Sequence, residues 1–226
     1  MKFHNYDVFI LCSSITSIKF CESKPVLSKK INVEGLKYII KKILPTKKKI
    51  IFLSSSVVFN GNKEFYKEHD YRKPINNYGK YKKEIEDYIK KYSKNYAILR
   101  LSKVDTALLP LIKEWVNKLN HNRSINPFSS SYISPVPIKS VLFSLILLMK
   151  NKYNGTFHLS GKDEINYLKV AEIILRYFKL DSNLIITESG KLHKRKFTTM
   201  KTSKFLNNVE NFKSDVVIEN LISQYL

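Results

Sequence analysis

Cysteine is scarce in this chain of 226 residues. Its two cysteines, Cys12 and Cys21, are too few for a disulfide-stabilised scaffold and lack the spacing of a metal-binding motif. The five histidines have no ligand spacing either, so we expect no metal site. His158, in a predicted strand, is expected to be a core residue. Reduced thiols are typical of a reducing compartment, which predicts a cytoplasmic protein.

Long hydrophobic runs are also missing. The longest apolar stretch, near Val141–Met149, is far shorter than the ~20 residues that a membrane helix needs. Its apolar positions at helical spacing, Leu142, Leu145, Ile146 and Met149, are expected to be core. The first residues lead into a short strand that contains Asp7, which is unlike a signal peptide. The sequence therefore predicts a soluble protein with no membrane span.

Acidic residues are outnumbered by basic ones. The chain has 40 Lys and Arg against 19 Asp and Glu, a formal net charge of +21. Such a charge makes nucleic acid a candidate partner. The charge is spread along the whole chain, however, and Lys, Ile and Asn recur throughout, as in proteins from AT-rich genomes, so we favour this compositional explanation. The basic run His193–Lys196 is interpreted as a solvated loop, with a nucleotide diphosphate or nucleic acid as its alternative contact.

The first part of the chain alternates strands with helices. Three apolar runs typical of strands buried on both faces are Tyr6–Ser13, Lys49–Ser55 and Tyr96–Ser102. The helical segments after them are Pro25–Leu44, Tyr78–Tyr92 and Asp105–Asn120, the last with a kink or break at Pro110. This pattern predicts an α/β fold with a Rossmann-like parallel sheet over residues 1–125.

The second part, residues 126–226, has a mixed pattern. It begins with a polar loop, Asn126–Pro137. Helices are predicted at Lys139–Asn151, Glu164–Lys179 and Val216–Leu226, and short strands at Gly155–Ser160 and Asn183–Thr187. We expect a smaller C-terminal substrate-binding lobe that is interleaved with the sheet.

Three side chains form a candidate catalytic group. The second strand ends in Ser54-Ser55-Ser56, at the end of a parallel sheet where ligands bind. Tyr78 and Lys82 are four residues apart and share one helix face. An ammonium group and a helix N-terminus both favour a phenolate over a phenol of pKa about 10. Tyr78 would then be the general acid/base, Lys82 its tuning cation and ribose ligand, and Ser55 the group that orients the substrate.

The Tyr-x-x-x-Lys spacing is weak evidence by itself. Tyr38 and Lys42 repeat it in a helix that no serine-ended strand precedes. For Tyr78 alone, a solvated charged helix is the simpler interpretation. The surrounding motifs favour the catalytic one.

Several motifs in order resemble the extended short-chain dehydrogenase/reductase superfamily, closest to dTDP-4-dehydrorhamnose reductases and related nucleotide-sugar enzymes. Ser54–Gly61 is similar to the stretch S-T-D-Y-V-F-D-G of that family, and Tyr78–Lys82 to its Y-G-x-x-K. Further matches run along nearly the whole chain at Asp7–Ser14, Cys21–Pro25, Ile31–Gly35, Ile98–Ser102, Ile133–Val136, Gly155–Gly161 and Thr202–Leu206.

The resemblance implies roles for individual residues. Catalysis would fall to Ser55, Tyr78 and Lys82. Binding of NADP or NAD would fall to Cys12, Ser13, Ser14, Ser54, Tyr78, Lys82 and Leu101. The sugar nucleotide would contact Ser56, Ser102 and Ser134. Asn32 corresponds to a residue that orders the family's site through hydrogen bonds, with a solvated helix residue as the alternative.

The departures from the family are specific. The chain has no Gly-x-x-Gly-x-x-Gly phosphate loop and starts where the family's fourth strand would start. At about 30 residues for each β-α-β unit, roughly 60 N-terminal residues of the family have no counterpart in this chain. Smaller departures are Val57, Lys103, Lys139 and Ser140, at positions where the family often has tyrosine, tryptophan and acidic residues. Three explanations are open: a misassigned or split gene, a second chain that completes the N-terminally truncated sheet, or loss of dinucleotide binding in the family's manner.

Three functions follow from these observations. The first is an NAD(P)-dependent reductase or epimerase of a 4-keto nucleotide sugar, serving surface-polysaccharide sugar synthesis. The second is a non-catalytic sugar-nucleotide-binding or regulatory subunit, because the phosphate loop is missing. The third, nucleic-acid binding, depends on the net charge alone. A homodimer, or a partner chain that completes the sheet, is compatible with the first two.

Overall fold

The computed structural model describes residues 3–150, 152–186, 197–206, 209–210 and 212–225. The strands are β1 Val8–Leu11, β2 Lys49–Ser55, β3 Tyr96–Leu101, β4 Lys103–Val104, β5 Tyr132–Ile133, β6 Pro135–Val136, β7 Gly155–Leu159 and β8 Ile165–Asn166. The α-helices are α1 Ile18–Ser23, α2 Pro25–Lys29, α3 Leu36–Ile43, α4 Asn77–Tyr92, α5 Leu109–Asn120, α6 Ile138–Lys150, α7 Tyr167–Phe178 and α8 Ser214–Tyr225. Lys30–Gly35, which joins α2 to α3, is a π-helical turn.

Contacts divide the chain into two compact units. The first contains residues 1–60, 67–101 and 144–158, and the second contains 61–66, 102–143 and 159–226. In the first unit, β1, β2 and β3 pair in parallel, and the sheet order is β1-β2-β3-β7. The predicted α/β class with a parallel sheet is confirmed.

The sheet of the first unit is largely apolar because β1, β2 and β3 each come from an apolar run. One of its faces packs against α3 and α4 in a single hydrophobic cluster. That cluster includes Phe9, Leu11, Ile40, Ile50, Phe52, Ile85, Ile89 and Ile98. Burial of apolar side chains on this face holds α4 against the strands that carry the candidate site.

The second unit has its own core and two short strand pairs. β4 pairs in parallel with β6, and β5 pairs antiparallel with β8. Apolar side chains of α5, α7 and α8 form one cluster, which includes Ile112, Trp115, Leu119, Val170, Ile174, Ile218 and Leu221.

Several sequence expectations differ from the structure in part. The helix predicted at 105–120, with a kink or break at Pro110, is a 3-10 turn, Asp105–Leu108, followed by α5, so a change of helix type lies next to Pro110. Pro110 is in the first turn of α5, where its missing N–H costs nothing. In the predicted strand at 183–187, Ser182–Leu184 is a 3-10 turn and Ile185 forms a single bridge with Ile125; Thr187 lies outside the described residues. The predicted helix at 25–44 is interrupted by the π-helical turn, and α1 was not predicted.

A further difference concerns α6. Leu145 is buried as expected, but Leu142, Ile146 and Met149 are 53%, 40% and 38% exposed. Helical periodicity identifies an apolar face but does not say whether another element covers it. No helix among the described ranges is long and apolar enough to cross a membrane.

Candidate functional site

The candidate site is built around the first two turns of α4. Asn76 caps this helix, since its Oδ1 accepts a hydrogen bond of 2.8 Å from the Gly79 amide. Tyr78 is therefore in the first turn and Lys82 is one turn later. Both side chains are buried, and the Lys82 Nζ lies 5.6 Å from the centroid of the Tyr78 ring.

Ser55 lies at the end of β2, beside the start of the same helix. Its hydroxyl accepts a hydrogen bond of 3.4 Å from the Val57 amide and so caps the 3-10 turn Ser56–Val58. This turn contacts α4 very closely, because a Cβ atom on Gly79 would lie 2.3 Å from the Val57 carbonyl oxygen. The fold thus brings together the three residues predicted to be catalytic.

Burial makes the charged form of Lys82 less stable. Its Nζ donates a hydrogen bond of 2.8 Å to the Leu53 carbonyl and lies 4.7 Å from the Phe52 ring centroid. Loss of solvent lowers the pKa of Lys82 to about 8, although the negative charges of Cys12 and Glu86 oppose that change. An amine with such a pKa changes its charge close to physiological pH.

Burial acts in the opposite direction on Tyr78. Removal from solvent raises the pKa of its phenol well above the ordinary value, and the negative charge of an ionised Cys21 adds to the increase. At neutral pH the side chain is therefore a protonated phenol, which is the form that can donate a proton.

The residues predicted to contact a cofactor fall into two environments. Cys12 and Ser13 are exposed after the end of β1, and Ser14 is half-buried. Burial raises the pKa of the Cys12 thiol, and the charge of Lys82 opposes that increase. Leu101 is buried at the end of β3.

Asn32 orders the segment that follows β1. It lies in the π-helical turn and is 2% exposed. Its Oδ1 accepts a hydrogen bond of 2.7 Å from the Ile15 amide, and its Nδ2 donates one of 2.9 Å to the Ile15 carbonyl. A solvated helix residue is therefore the wrong interpretation for Asn32.

Ser54 and Ser56 are both buried. The Ser54 hydroxyl donates a 2.5 Å hydrogen bond to Glu86, so its proton is used inside the protein. Ser102 and Ser134 belong to the second unit, where the Ser102 hydroxyl donates to the Ser134 carbonyl at 2.6 Å and the Ser134 hydroxyl lies 3.2 Å from that of Ser160. The substrate contacts of Ser56, Ser102 and Ser134 stay predictions.

Sequence reasoning missed a buried ionic group next to the site. Glu86 and Arg100 are fully buried and form two hydrogen bonds, and Arg72 also donates to Glu86. The Arg100 Nη1 lies 3.1 Å from His158 Nε2, which confirms His158 as a core residue with a polar partner. Arg100 was the available signal for this group: it lies inside the predicted buried strand Tyr96–Ser102, and a buried charge needs a partner of opposite charge.

Two further expectations concern metal and anion sites. The described ranges contain no group of three His, Cys, Asp or Glu side chains that could hold a metal ion. The basic run at 193–196 lies outside the described residues.

A parallel sheet with a serine at the end of β2, and a tyrosine and a lysine on the helix α4 beside that strand end, is the arrangement of a Rossmann-like short-chain dehydrogenase/reductase. The chain belongs to the RmlD substrate binding domain family, whose model matches residues 1–214.

Two curated relatives cover most of this chain. The probable low-salt glycan biosynthesis reductase Agl14 of Haloferax volcanii is 26% identical over 189 residues, which are 80% of this chain and 63% of the relative. Methionine adenosyltransferase 2 subunit beta of Pongo abelii is 24% identical over 199 residues, which are 82% of this chain and 59% of the relative. The chain thus spans about three fifths of the length of these relatives.

The fold is similar to that of a solved reductase. The structure of dTDP-4-dehydrorhamnose reductase from Bacillus anthracis str. Ames in complex with NADP matches with a TM-score of 0.81 at 20% identity. The match covers 96% of this chain and 80% of that one.

Proposed function

We propose that this protein is an NAD(P)-dependent reductase of a 4-keto nucleotide sugar, similar in reaction to a dTDP-4-dehydrorhamnose reductase and used in surface-polysaccharide sugar synthesis. The observation that carries the proposal is the meeting of Ser55, Tyr78 and Lys82 at the junction of β2 and α4. Family membership and the named reductase relative support it. The free thiols of Cys12 and Cys21 support a cytoplasmic location.

The protein's own residues would act on the keto oxygen. Ser55 orients that oxygen by a hydrogen bond, and the neutral phenol of Tyr78 donates its proton to it. The resulting phenolate is costly in a buried site, as the raised pKa of Tyr78 indicates. The Lys82 ammonium, 5.6 Å from the ring centroid, lowers that cost.

The residues at the ends of β1 and β2 fit the nicotinamide and ribose part of a dinucleotide. Cys12 and Ser13 are exposed there, and the Lys82 charge lowers the pKa of the Cys12 thiol against the effect of burial. Such a cofactor supplies the hydride when it is bound. No glycine-rich turn occurs in the 226 residues, so we assign no contact to the pyrophosphate.

A pair of tyrosine variants tests the proposal. Tyr78→Phe should lower turnover of dTDP-4-dehydrorhamnose with NADPH or NADH by at least about 100-fold, because it removes the proton donor. Tyr38→Phe is the matched control, since Tyr38 has the same spacing to Lys42 but is 64% exposed. Equal turnover by wild type and Tyr78→Phe would refute the assignment.

A non-catalytic subunit is the second candidate. The observation in its favour is that one relative is a subunit of a different enzyme, methionine adenosyltransferase 2. This function predicts binding of a sugar nucleotide or a protein without turnover. Steady NAD(P)H oxidation by the wild-type chain with a 4-keto sugar nucleotide would exclude it.

A further inference from the structure

The Glu86 carboxylate has an unusually complete set of partners. Its Oε1 accepts hydrogen bonds from Ser54 Oγ at 2.5 Å and Arg100 Nε at 2.9 Å. Its Oε2 accepts from Arg100 Nη2 at 2.7 Å and Arg72 Nη1 at 3.0 Å. These contacts connect α4 to β2, to β3 and to the loop that precedes α4.

Thermodynamic stability alone is a weak reason for such a group. Glu86 and Arg100 are both 0% exposed, and the loss of hydration of two charges offsets much of their attraction. What the pair does provide is geometry. The carboxylate accepts two parallel bonds from a planar guanidinium, which restricts both the distance and the rotation of α4 relative to β3.

The position of Glu86 links this geometry to the candidate site. Tyr78, Lys82 and Glu86 are successive fourth residues of α4 and share one helix face. Ser54, which donates to Glu86, is the residue before Ser55 on β2. One carboxylate therefore connects the helix that carries two candidate catalytic residues with the strand that carries the third.

We propose that Glu86, with Arg100 and Ser54 as its partners, is a positioning residue that keeps Tyr78 and Lys82 aligned with Ser55. The proposal deepens the proposed function and rests on it. It also changes the expected role of Ser54, from contact with a cofactor to support of the helix. Arg100 is anchored in turn by the Glu68 carbonyl at 3.1 Å and by His158.

Glu86 also acts on Lys82 through its charge. The acidic groups that interact with Lys82 are Cys12 at the end of β1, which is negative only when its thiol is ionised, and Glu86 on its own helix; both raise the pKa of Lys82 against the effect of burial. From β2, Lys82 meets the neutral Leu53 carbonyl and the Phe52 ring. Removal of the Glu86 charge should therefore move the titration of Lys82 to lower pH.

The test compares Glu86→Gln with Glu84→Gln. Glu84 is on the same helix, but its side chain is 40% exposed and pairs with Lys37. We expect kcat to fall by about 100-fold in Glu86→Gln with KM within about two-fold, because misplaced groups slow the reaction step. The Lys82 titration, followed by NMR of ¹³C-labelled lysine and assigned with Lys82→Arg, should move down by about half a pH unit or more. Glu84→Gln should change neither quantity.

A milder variant covers the case in which Glu86→Gln does not fold. Ser54→Ala removes one hydrogen bond and no charge, and we expect about 10-fold lower kcat at unchanged KM. Hydrogen exchange at the amides of residues 78–82 should also be faster than in wild type, while exchange in α7 is unchanged. Unaltered exchange and kinetics in Ser54→Ala, or an unaltered Lys82 titration in folded Glu86→Gln, would overturn the proposal.

The two proposals fail in different ways. If wild type has no turnover, the proposed function fails, while the Lys82 titration and the hydrogen exchange still decide the role of Glu86. If wild type is active and the Glu86 and Ser54 variants match it in kinetics, titration and exchange, the positioning role alone fails.

Discussion

At the scale of single residues, the environment of Lys82 is the most informative feature. Its ammonium is buried, donates to the Leu53 carbonyl and lies beside the Tyr78 ring. Burial lowers its pKa to about 8, so the amine is charged below that pH and neutral above it. Because a neutral amine cannot stabilise a phenolate, the charge state of Lys82 should limit activity in mildly alkaline solution.

This gives a pH prediction. Turnover by wild type should fall by about tenfold for each pH unit above about 8, as the ammonium is lost. Lys82→Arg carries a cation that does not titrate in this range, so its smaller turnover should stay level up to about pH 10. The measurement is the initial rate against pH for both proteins. A wild-type rate that stays level up to about pH 10 would contradict the assigned role of Lys82.

The two Tyr-x-x-x-Lys pairs illustrate what single residues can and cannot reveal. Tyr38 is 64% exposed and Tyr78 is 9% exposed, although both have a lysine four residues later. Sequence reasoning separated them by the serine-ended strand before Tyr78, and the catalytic role of Tyr78 stays a prediction. It could not find Glu86 as a partner of Ser54, because the two are 32 residues apart and meet only after α4 packs on β2.

At the scale of secondary-structure elements, the start of α4 depends on a close approach. Gly79 lies against the turn after β2, and a Cβ atom there would be 2.3 Å from the Val57 carbonyl and 2.9 Å from the Pro74 Cβ. Both neighbours are rigid. Any side chain at this position must push the helix away from Ser55.

Two glycine variants test this point. Gly79→Ala should lower the free energy of unfolding by about 3 kcal/mol, because the backbone has to move, and it should reduce turnover as well. Gly35→Ala is the matched control, since its Cβ would lie 3.6 Å from the Lys30 carbonyl and alanine favours helix, so we expect a gain of about 1 kcal/mol. Urea unfolding of both variants gives the comparison. Equal stability of the two variants would mean that α4 does not need the close contact.

Element boundaries were predictable where a local signal exists. The continuous apolar runs located β1, β2 and β3, and the prediction of a helix from Tyr78 is within one residue of α4. The π-helical turn was not predicted; within it, Asn32 makes a hydrogen bond to Ile15, 17 residues away, which no local pattern reveals.

At the scale of the whole molecule, the net charge of +21 is the dominant property. Ion pairs such as Lys37–Glu84 and Arg100–Glu86 neutralise some of the lysines and arginines, but basic residues outnumber acidic ones by 40 to 19. Like charges at this density repel one another and destabilise the compact state.

Salt should therefore stabilise the protein. An increase of NaCl from about 0.01 M to about 0.15 M shortens the screening length from about 30 Å to about 8 Å. We expect the melting temperature to rise by about 3 °C as self-repulsion weakens. An uncharged solute at equal osmolarity is the control and should have a smaller effect. A melting temperature that is constant or falls with NaCl would indicate that the charges are already balanced locally.

The sequence by itself determined the class of fold and which three residues form the candidate catalytic group. The signals used were local patterns: continuous apolar runs, helical spacing and a serine at a strand end. Such patterns can be identified without knowledge of how the elements pack. Only the tertiary structure decided which buried charges meet, as with Glu86 and Arg100, and which apolar face of α6 stays uncovered. The physical reason is that burial and ion pairing depend on neighbours brought from distant parts of the chain, and periodicity carries no information about those neighbours.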